Sequence, residues 1–477
     1  MEKRRRVLII GADGLRPDNI SADHMPTYCE ILKKGTRFSS FHSSYPSATR
    51  ISMSTLTTGA YPGRHGVFGN CMHIPGFPLD NGWVQTGNDR HLRAFHKETG
   101  GPLLLLPTLG DRLKANGKRF AVAASSSPGA SFIWDFNNPE NIMNSASTYG
   151  SPSLVEAHRL IGPPAEETTA LKREKTLWAV NVLTETILPD PDNEVMVLWI
   201  TEPDAANHSY GLGSPEAIEA LKFVDQCVTD VVASIKRLAL EDQLDLLLIS
   251  DHGHISVEPQ KHLGDWLKEY EKDNHLPKTW GTSDYYVYYF GQGSPERSQL
   301  QHLVDWLNKQ IWCGLVFAHP EYANGLSGVI SMEELLGPIE HNRIPVLAVN
   351  PVWSDSPNLF GVPGILHNIS KDRRSTHGST SPYEMKAFCV GYGPDFKENA
   401  VSDIPCGIVD IAPTVCHLLG LSENGFDGRV LYEGFKGVDD IPQCSEKVIF
   451  ADPEETKGLR IFQVNGTRYI GGSFFKE

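Results

Sequence analysis

The sequence predicts an α/β fold, a three-layer sandwich in which a large, mostly parallel central sheet carries helices on both faces, with a smaller α+β insertion layer beside it. Three uninterrupted apolar runs support this prediction, because such runs are typical of strands that are covered on both sides. They occupy residues 7–10, 195–200 and 246–249, and they lead into Asp13, Asp204 and Asp251, respectively. Because the carboxyl ends of parallel strands face the ligand crevice of an open sheet, we expect the three carboxylates to converge.

Length and charge limit the classes of function. With 477 residues and 40% hydrophobic content, the chain can bury a large core, as one α/β domain with insertions or as two or three domains. The formal charge of −15 argues against a nucleic-acid-binding surface, because phosphate backbones are held mainly by Lys and Arg. Bound metal ions, rather than the overall field of the protein, would therefore attract an anionic substrate.

The start of the chain, the lengths of its apolar segments and its cysteines indicate the cellular location of the protein. The basic start of the chain is not expected to be a secretory signal, because the apolar run after it is short and meets Asp13. No other apolar segment approaches the length of a membrane span. The eight cysteines are scattered without a C-x-x-C pair, which is typical of reduced thiols. The sequence thus predicts a cytoplasmic protein with no membrane partner.

Apolar spacing, capping residues and turns predict the remaining elements of the core. In chain order these are a helix over 25–35 that a glycine ends, a strand over 36–42, a helix beginning near Thr49, a helix over 108–116, a strand over 120–124, and helices over 166–188 and 215–239. Residues 71–150 are otherwise less regular. The C-terminal part adds a strand over 387–391, a helix over 409–421 and short strands at 448–450, 461–464 and 468–470.

Residues 255–375 have the pattern of an insertion. Strands over 284–290, 314–318 and 344–349 alternate there with helices over 296–310 and 332–336. Such a set forms a small layer of its own beside a main sheet. We therefore expect residues 1–254 and 376–477 to form the core and residues 255–375 to form an insertion or cap subdomain.

Histidines accompany the aspartates at two strand ends. His252 directly follows Asp251, and His208 follows Asp204 by four residues, a spacing that puts both side chains on one face of a helical turn. His377, in a loop rich in Gly and Ser, would supply the missing third ligand of a second site. Each of these residues alone is compatible with an ordinary hydrogen-bonded pair. Their convergence favours metal sites, which use carboxylates and imidazoles together.

Thr49 has two interpretations. A hydroxyl at a helix N-terminus is most often a cap that satisfies a free backbone N–H. The same position suits a nucleophile that attacks phosphorus, because backbone amides and the helix dipole stabilise the developing charge. Beside three strand-end aspartates, the nucleophile is the favoured interpretation.

Six motifs follow one another along the chain. They are Asp13-Gly14-Leu15-Arg16-Pro17, Thr49 with Thr58-Gly59, the segment 61–70 ending in Asn70, Glu202-Pro203-Asp204 with His208 and Tyr210-Gly211, Ser250-Asp251-His252-Gly253, and His377-Gly378 followed by Met385-Lys386-Ala387. In this order the chain resembles the alkaline phosphatase superfamily, and within it the nucleotide pyrophosphatase/phosphodiesterase branch. The resemblance covers residues 7–70, 193–253 and 376–421, and it leaves out the insertions.

The resemblance implies a hydrolase that cleaves phosphodiester or pyrophosphate bonds of a small anionic phosphorus-containing substrate through a phospho-threonine intermediate. It implies two divalent cations, usually zinc, one bound by Asp204, His208 and His377 and the other by Asp13, Thr49, Asp251 and His252. The mixed carboxylate and imidazole donors independently suit zinc, with iron or manganese as alternatives. Thr49 would be the nucleophile, and Asn70 would donate a hydrogen bond to a phosphoryl oxygen.

Some residues depart from the pattern of these relatives. Alkaline phosphatases proper use a serine nucleophile, and sulfatases carry an arginine where this chain has Met53. Arg50 stands where many nucleotide-cleaving members have an aromatic residue, and its guanidinium would bind a second anionic group of the substrate or form a surface salt bridge. This keeps a phosphonate hydrolase similar to phosphonoacetate hydrolases as an alternative. A non-catalytic metal-binding homologue is a further alternative.

His254, after the Ser-Asp-His-Gly motif, is interpreted as a residue that supports the metal ligands. The sequence leaves open whether the protein forms a homo-oligomer.

Overall fold

A computed structural model describes residues 5–99, 101–147, 149–169, 171–259, 261–368 and 373–476 of the chain. Its central sheet has eight strands. From edge to edge they are Ala400–Ser402, Thr36–Phe38, Cys389–Tyr392, Leu244–Ile249, Arg6–Ala12, Asn193–Ile200, Arg119–Ala124 and Ile142–Met143. Neighbours run parallel except at Cys389–Tyr392, which is antiparallel to both adjacent strands. The predicted large, mostly parallel sheet is therefore confirmed.

Helices cover both faces of this sheet. Successive side chains of a strand point to opposite faces, so Val7 and Ile9 pack into one apolar layer while Leu8 and Ile10 pack into the other. The layer around Val7 receives Thr49–Thr58, Leu109–Ala115, Pro128–Ile133 and Ile411–Leu418, and the layer around Leu8 receives Pro26–Lys34, Pro152–Ile161, Arg173–Val182 and Pro215–Arg237. This arrangement confirms the predicted three layers.

Further helical segments connect these elements. They are Pro17–Asn19, Pro62–His65, Asp80–Gly82, Asp89–Thr99, Pro139–Asn141, Leu183–Ile187, Asp204–Tyr210, Pro320–Ala323, Glu333–Leu336, Pro382–Met385, Ile408–Asp410 and Tyr432–Gly434. No helix within the described ranges combines the length and the apolar character that crossing a bilayer requires.

A second sheet of five strands lies within residues 280–351. In spatial order its strands are Trp280–Ser283, Tyr286–Tyr289, Leu347–Pro351, Cys313–Ala318 and Ile330–Ser331. Val287 and Val316 share an apolar cluster with the helices Leu263–Asp273 and Arg297–Asn308. Tyr286, the next residue along its strand, packs instead into the core cluster of the main sheet. The aromatic run of this segment thus joins the five-stranded sheet to the core of the main sheet.

Smaller sheets complete the fold. They are Trp353–Pro357, Pro363–Asn368, Ile255–Pro259 and Ser375–Thr376 in one four-stranded sheet, Cys444–Phe450, Lys457–Val464 and Thr467–Phe475 in a three-stranded sheet, and the pairs Phe41–His42 with Cys406–Gly407 and Cys71–His73 with Trp83–Gln85. The C-terminal strands are longer than predicted, and residues 71–150 contain more regular structure than expected.

Several other predicted elements differ from the structure in their bounds. The strand expected over 284–290 covers only Tyr286–Tyr289, because Asp284 lies in the turn before it. The strand expected over 36–42 is divided, because its first part joins the central sheet and its second part pairs with Cys406–Gly407. The helix expected over 166–188 begins only at Arg173. The carboxylate of Glu167 accepts the backbone N–H groups of Glu174 and Lys175 at 3.3 and 3.0 Å, and it thereby caps the first turn from outside the helix.

Candidate functional site

The three aspartates that follow the apolar strands lie side by side. The strand before Asp13 pairs in parallel with the strands before Asp204 and Asp251. Beyond the strands, the backbone N–H of Asp204 donates to the carbonyl of Asp13, and the N–H of Gly14 donates to Asp251 Oδ1, both at 3.1 Å. Gly14 has a φ of +65°, a conformation that glycine adopts without steric cost. The parallel register and this turn gather the carboxylates at one edge of the sheet.

One oxygen of Asp204 is surrounded by three imidazoles. Asp204 Oδ1 lies 3.3 Å from His208 Nε2, 3.0 Å from His254 Nε2 and 3.4 Å from His377 Nε2. We call these four residues the Asp204 cluster. Their ligand atoms all lie within 4.8 Å of one another.

Local backbone structure explains how the Asp204 cluster forms. The helix Asp204–Tyr210 places the histidine at its fifth position one turn from the aspartate at its start. The antiparallel pairing of Ile255 with Thr376 brings together their chain neighbours His254 and His377. Residues far apart in sequence thus meet because a short sheet joins the two segments.

A second group lies around Asp13. Asp13 Oδ1 is 3.5 Å from His252 Nε2, which in turn is 3.3 Å from Asp251 Oδ2. The hydroxyl of Thr49 donates to Asp13 Oδ1 at 3.2 Å and lies 3.4 Å from His252 Nε2. We call these four residues the Asp13 cluster. The rings of His252 and His377 stack with centroids 3.9 Å apart, so the two clusters adjoin.

Thr49 does not cap its helix. Ala48 occupies the N-cap position of Thr49–Thr58, and no side-chain cap hydrogen bond forms there. The Thr49 hydroxyl is engaged with Asp13 instead. The capping interpretation is therefore wrong, and the hydroxyl faces the carboxylates from the first turn of the helix.

Three of the histidines are held in one tautomer by backbone carbonyls. The contacts are His208 Nδ1 to the Ser375 carbonyl at 2.8 Å, His252 Nδ1 to the Gly253 carbonyl at 2.8 Å and His377 Nδ1 to the Ser47 carbonyl at 2.9 Å. A carbonyl can only accept, so each Nδ1 carries the hydrogen and each Nε2 is left as an acceptor nitrogen beside the carboxylates, where a cation could bind it.

Burial and mutual repulsion govern the charges. Burial, together with Asp251 and Asp204, raises the pKa of Asp13 well above its usual value. Burial also opposes ionisation of Asp204, yet the surrounding histidines lower the pKa of that carboxyl well below its usual value. Burial lowers the pKa of His208 and His377 and brings the pKa of His254 to about 3, so these imidazoles are neutral near pH 7.

The two clusters fit divalent cations. Asp251 Oδ2 is fully enclosed and accepts no hydrogen bond from the residues that the structure describes. A buried carboxylate oxygen without a partner is costly, and a cation removes that cost. Neutral imidazole nitrogens beside ionised carboxylate oxygens are the donors that zinc and similar transition metals bind. The protein therefore supplies a donor set for each cluster.

Arg50 and Asn70 form a contact next to Thr49. Arg50 Nη1 donates to Asn70 Oδ1 at 2.9 Å, and Arg50 Nη2 lies 3.3 Å from Ser127 Oγ. Arg50 Nε is enclosed and makes no hydrogen bond with the described part of the chain. The guanidinium thus contacts an amide and a hydroxyl, with hydrogens left over for another acceptor.

Sequence reasoning missed two charged residues at this site. Asp284 Oδ2, from the turn between two strands of the five-stranded sheet, accepts the backbone N–H of Asn70 at 2.8 Å. The exposed Arg373 places Nη1 2.6 Å from His208 Nε2. Asp284 has a φ of +51°, which no sequence pattern predicts, and both residues reach the site only through long-range contacts.

The sequence is similar to a known protein family and to several of its members. The family model of type I phosphodiesterase / nucleotide pyrophosphatase matches residues 7–311. The ectonucleotide pyrophosphatase/phosphodiesterase family member 1 of Mus musculus is 24% identical over 444 residues, which cover 89% of this chain and 42% of that protein. The bis(5′-adenosyl)-triphosphatase of Mus musculus is 21% identical over 432 residues, which cover 89% of this chain and 80% of that protein. This chain thus spans about two fifths of the length of the first relative.

Solved structures show the same fold. Murine ectonucleotide pyrophosphatase/phosphodiesterase 5, including an inactive variant in complex with AMP, superposes with a TM-score of 0.59 at 19% identity. The superposition covers 89% of this chain and 97% of the murine chain. Since the family model matches residues 7–311, well over half of the sequence, the protein belongs to the type I phosphodiesterase/nucleotide pyrophosphatase family.

Proposed function

We propose that the protein is a two-metal hydrolase that cleaves phosphodiester or pyrophosphate bonds through a phospho-threonine intermediate on Thr49. The observation that carries this proposal is the position of Thr49 Oγ1, 3.2 Å from Asp13 Oδ1 and 3.4 Å from His252 Nε2, in the first turn of a helix. Family membership supports the same reaction class, as do relatives named as pyrophosphatases, phosphodiesterases and a triphosphatase.

The two clusters would hold one divalent cation each. Asp204, His208 and His377 would bind the first, and the Asp13 cluster, including the oxygen of Thr49, would bind the second. When bound, such cations lower the pKa of a coordinated hydroxyl and neutralise charge on the phosphoryl and leaving oxygens. We propose zinc, because both donor sets combine imidazole nitrogen with carboxylate oxygen.

Thr49 is oriented before any substrate arrives. Asp13 Oδ1 accepts the hydroxyl hydrogen and so fixes the rotamer of the nucleophile. The start of the helix Thr49–Thr58 adds free backbone N–H groups and the positive end of the helix dipole, which favour the developing negative charge. Thr49 Oγ1 would form the new bond to phosphorus while the bond to the leaving oxygen breaks. Hydrolysis of the phospho-threonine by water then restores the hydroxyl.

Asn70 would donate to a phosphoryl oxygen. Its Oδ1 already accepts from Arg50, which leaves the two Nδ2 hydrogens for another acceptor. A preorganised amide donor aimed at a developing oxyanion contributes strongly to catalysis. Arg50 therefore orients the amide, and the remaining hydrogens of its two Nη groups would bind an anionic group of the substrate.

Arg50 also favours a second candidate, phosphonate hydrolysis. A guanidinium beside the nucleophile can bind the carboxylate of a substrate such as phosphonoacetate as well as a second phosphate.

We propose in addition that residues 255–375 act as a cap, since Asp284 from this segment contacts the backbone of Asn70.

We also propose that the protein is located in the cytoplasm. None of its eight cysteines forms a disulfide, which fits that reducing compartment.

One set of assays tests the reaction class. Hydrolysis of bis-p-nitrophenyl phosphate, p-nitrophenyl phosphate, a nucleotide pyrophosphate and phosphonoacetate is compared for the wild type, Thr49→Ala and Thr49→Ser. We expect the diester or pyrophosphate to be preferred, Thr49→Ala to lose roughly 10³-fold or more in kcat, and Thr49→Ser to retain part of the activity. Preference for the monoester would contradict the proposal, and turnover of phosphonoacetate alone would establish the second candidate. A wild type with fewer than two bound metal ions and no hydrolysis would indicate a non-catalytic homologue.

A further inference from the structure

His254 belongs to the Asp204 cluster but differs from the other histidines there. We propose that His254 is a positioning residue whose Nε2–H donates to Asp204 Oδ1 and holds that carboxylate for the cation, and that His254 is not itself a ligand. This inference rests on the proposed two-metal function. It assigns a role to a side chain that neither proposed ligand set uses.

The contacts to Asp204 separate His254 from its neighbours. His254 Nε2 forms a hydrogen bond with Asp204 Oδ1 at 3.0 Å. His208 and His377 lie farther from the same oxygen, at 3.3 and 3.4 Å, and neither forms a hydrogen bond with it. Ligands bound about 2.0–2.1 Å from one tetrahedral ion are separated by about 3.3–3.4 Å. His208 and His377 match that spacing, whereas the spacing of His254 is that of a donor and an acceptor.

The opposite ring nitrogen gives independent support. In His208 and His377, Nδ1 donates its hydrogen to a backbone carbonyl, which frees Nε2 for a cation. His254 Nδ1 is buried and has no hydrogen-bond partner within the described ranges. If His254 bound a cation through Nε2, its Nδ1–H would be a buried donor without an acceptor, and orphaned N–H groups are rare in proteins. With the hydrogen on Nε2, the unsatisfied atom is an acceptor, which proteins tolerate more readily.

The surrounding structure keeps His254 in this orientation. Its carbonyl accepts a hydrogen bond from Arg16 Nη1 at 3.1 Å, and that guanidinium is itself bound by Asp18. A Cβ atom at Gly14 would lie 3.0 Å from His254 Cδ2 and 3.2 Å from Asp204 Cβ. The absence of a side chain at Gly14 therefore permits the histidine and the carboxylate to approach each other.

A matched pair of amide substitutions tests this role. The amide nitrogen of Gln reaches the position of the imidazole Nε2, whereas the shorter Asn reaches only that of Nδ1. His254→Gln thus keeps a donor for Asp204 but is a poor zinc ligand, and His254→Asn loses the donor. Affinities for Zn²⁺ at both clusters are measured on the full chain by competition with a chromophoric chelator, with stoichiometry from metal analysis.

We expect His254→Asn to weaken binding at the Asp204 cluster by about 10- to 100-fold, the usual effect of losing a hydrogen bond to a ligand. His254→Gln should stay within about threefold of the wild type, and the affinity of the Asp13 cluster should change in neither variant. Equal losses in both variants would show that His254 is a ligand. Unchanged affinity in both would reduce the contact to packing. A wild type that binds no Zn²⁺ would contradict the proposed two-metal function. Differences between the variants, in contrast, test only the role of His254.

Discussion

Arg50 Nη1 donates a hydrogen bond to Asn70 Oδ1 across a distance of 2.9 Å. This contact determines how the amide is turned, because an occupied Oδ1 leaves the Nδ2 hydrogens directed away from the guanidinium. Arg50 follows the proposed nucleophile in the sequence. Thr49, the Arg50 guanidinium and the Asn70 amide are therefore connected at the start of the helix Thr49–Thr58.

The first prediction concerns Arg50→Ala. We expect kcat/KM to fall about 10²-fold for all substrates, because Asn70 loses the contact that orients its amide. KM should rise further for substrates with a second anionic group, which lose a direct contact. Steady-state kinetics with bis-p-nitrophenyl phosphate and a nucleotide pyrophosphate measure both effects. Unchanged KM for every anionic substrate would remove the direct role of Arg50 in binding.

A double-mutant cycle separates the two roles of Arg50. If the guanidinium acts through the amide, Asn70→Ala combined with Arg50→Ala should lose little more than Asn70→Ala alone. Additive losses would show that the two side chains act independently. Thermal unfolding of each variant serves as the control for a change in stability.

The second prediction concerns Asp284, whose carboxylate accepts the backbone N–H of Asn70 at 2.8 Å. Asp284→Asn keeps an acceptor and adopts a positive φ readily, so its kcat should stay close to that of the wild type. Asp284→Ala removes the acceptor and should lower kcat by up to about 10²-fold, because Asn70 shifts from its position. Equal effects of the two substitutions on kcat would contradict a role for this hydrogen bond.

Much of the fold could be predicted because its signals are local. The uninterrupted apolar runs predicted the central strands, and the spacing of Asp204 and His208 predicted that their side chains share a helical face, as the helix Asp204–Tyr210 shows. The prediction of a helix over 166–188 was wrong about where the helix begins, because hydrophobic spacing does not show where a helix is capped. Its first turn is capped by Glu167, which lies outside the helix.

The rest of the site depends on tertiary contacts that spacing does not encode. His377 was predicted as a ligand because a third ligand was missing, and its own sequence surroundings did not indicate a site. The pairing of Ile255 with Thr376 brings it next to His254. Asp284 was predicted as part of an aromatic strand. Its position beside Asn70 comes from a left-handed turn and from packing of the five-stranded sheet against the core.

The third prediction is a pH dependence of stability at Glu384. Burial raises the pKa of this carboxyl to about 8 from an ordinary value of 4.5, even though Ser379 donates to it through its N–H at 3.0 Å. Between pH 4.5 and pH 8, Glu384 therefore keeps a proton in the folded protein that it has lost in the unfolded chain. The stability contributed by the protonated group is fully present below pH 4.5 and is lost as the pH rises through 8, by at most about 1.4 kcal/mol per pH unit.

Glu384→Gln tests this dependence, because the amide stays neutral at every pH. Urea unfolding measured from pH 5 to pH 9 should show a smaller decline of the unfolding free energy in the variant than in the wild type. Glu398→Gln, at an exposed position, is the matched control and should follow the wild type. Parallel curves for the wild type and Glu384→Gln would show that Glu384 does not titrate in this range.

The last prediction concerns Arg373, whose Nη1 lies 2.6 Å from His208 Nε2. The same Nη1 lies 3.1 Å from His208 Nδ1, so the guanidinium sits beside the face of the imidazole ring. The positive charge of Arg373 would also repel a cation in the Asp204 cluster. We therefore expect Arg373→Gln to strengthen Zn²⁺ binding at that cluster by a few-fold to about tenfold, a shift of up to about 1.4 kcal/mol. Arg374→Gln is the matched control, since this residue contacts His208 through its backbone N–H at 3.1 Å. Equal or weaker Zn²⁺ binding by Arg373→Gln would mean that the positive charge of Arg373 does not oppose a cation in the Asp204 cluster.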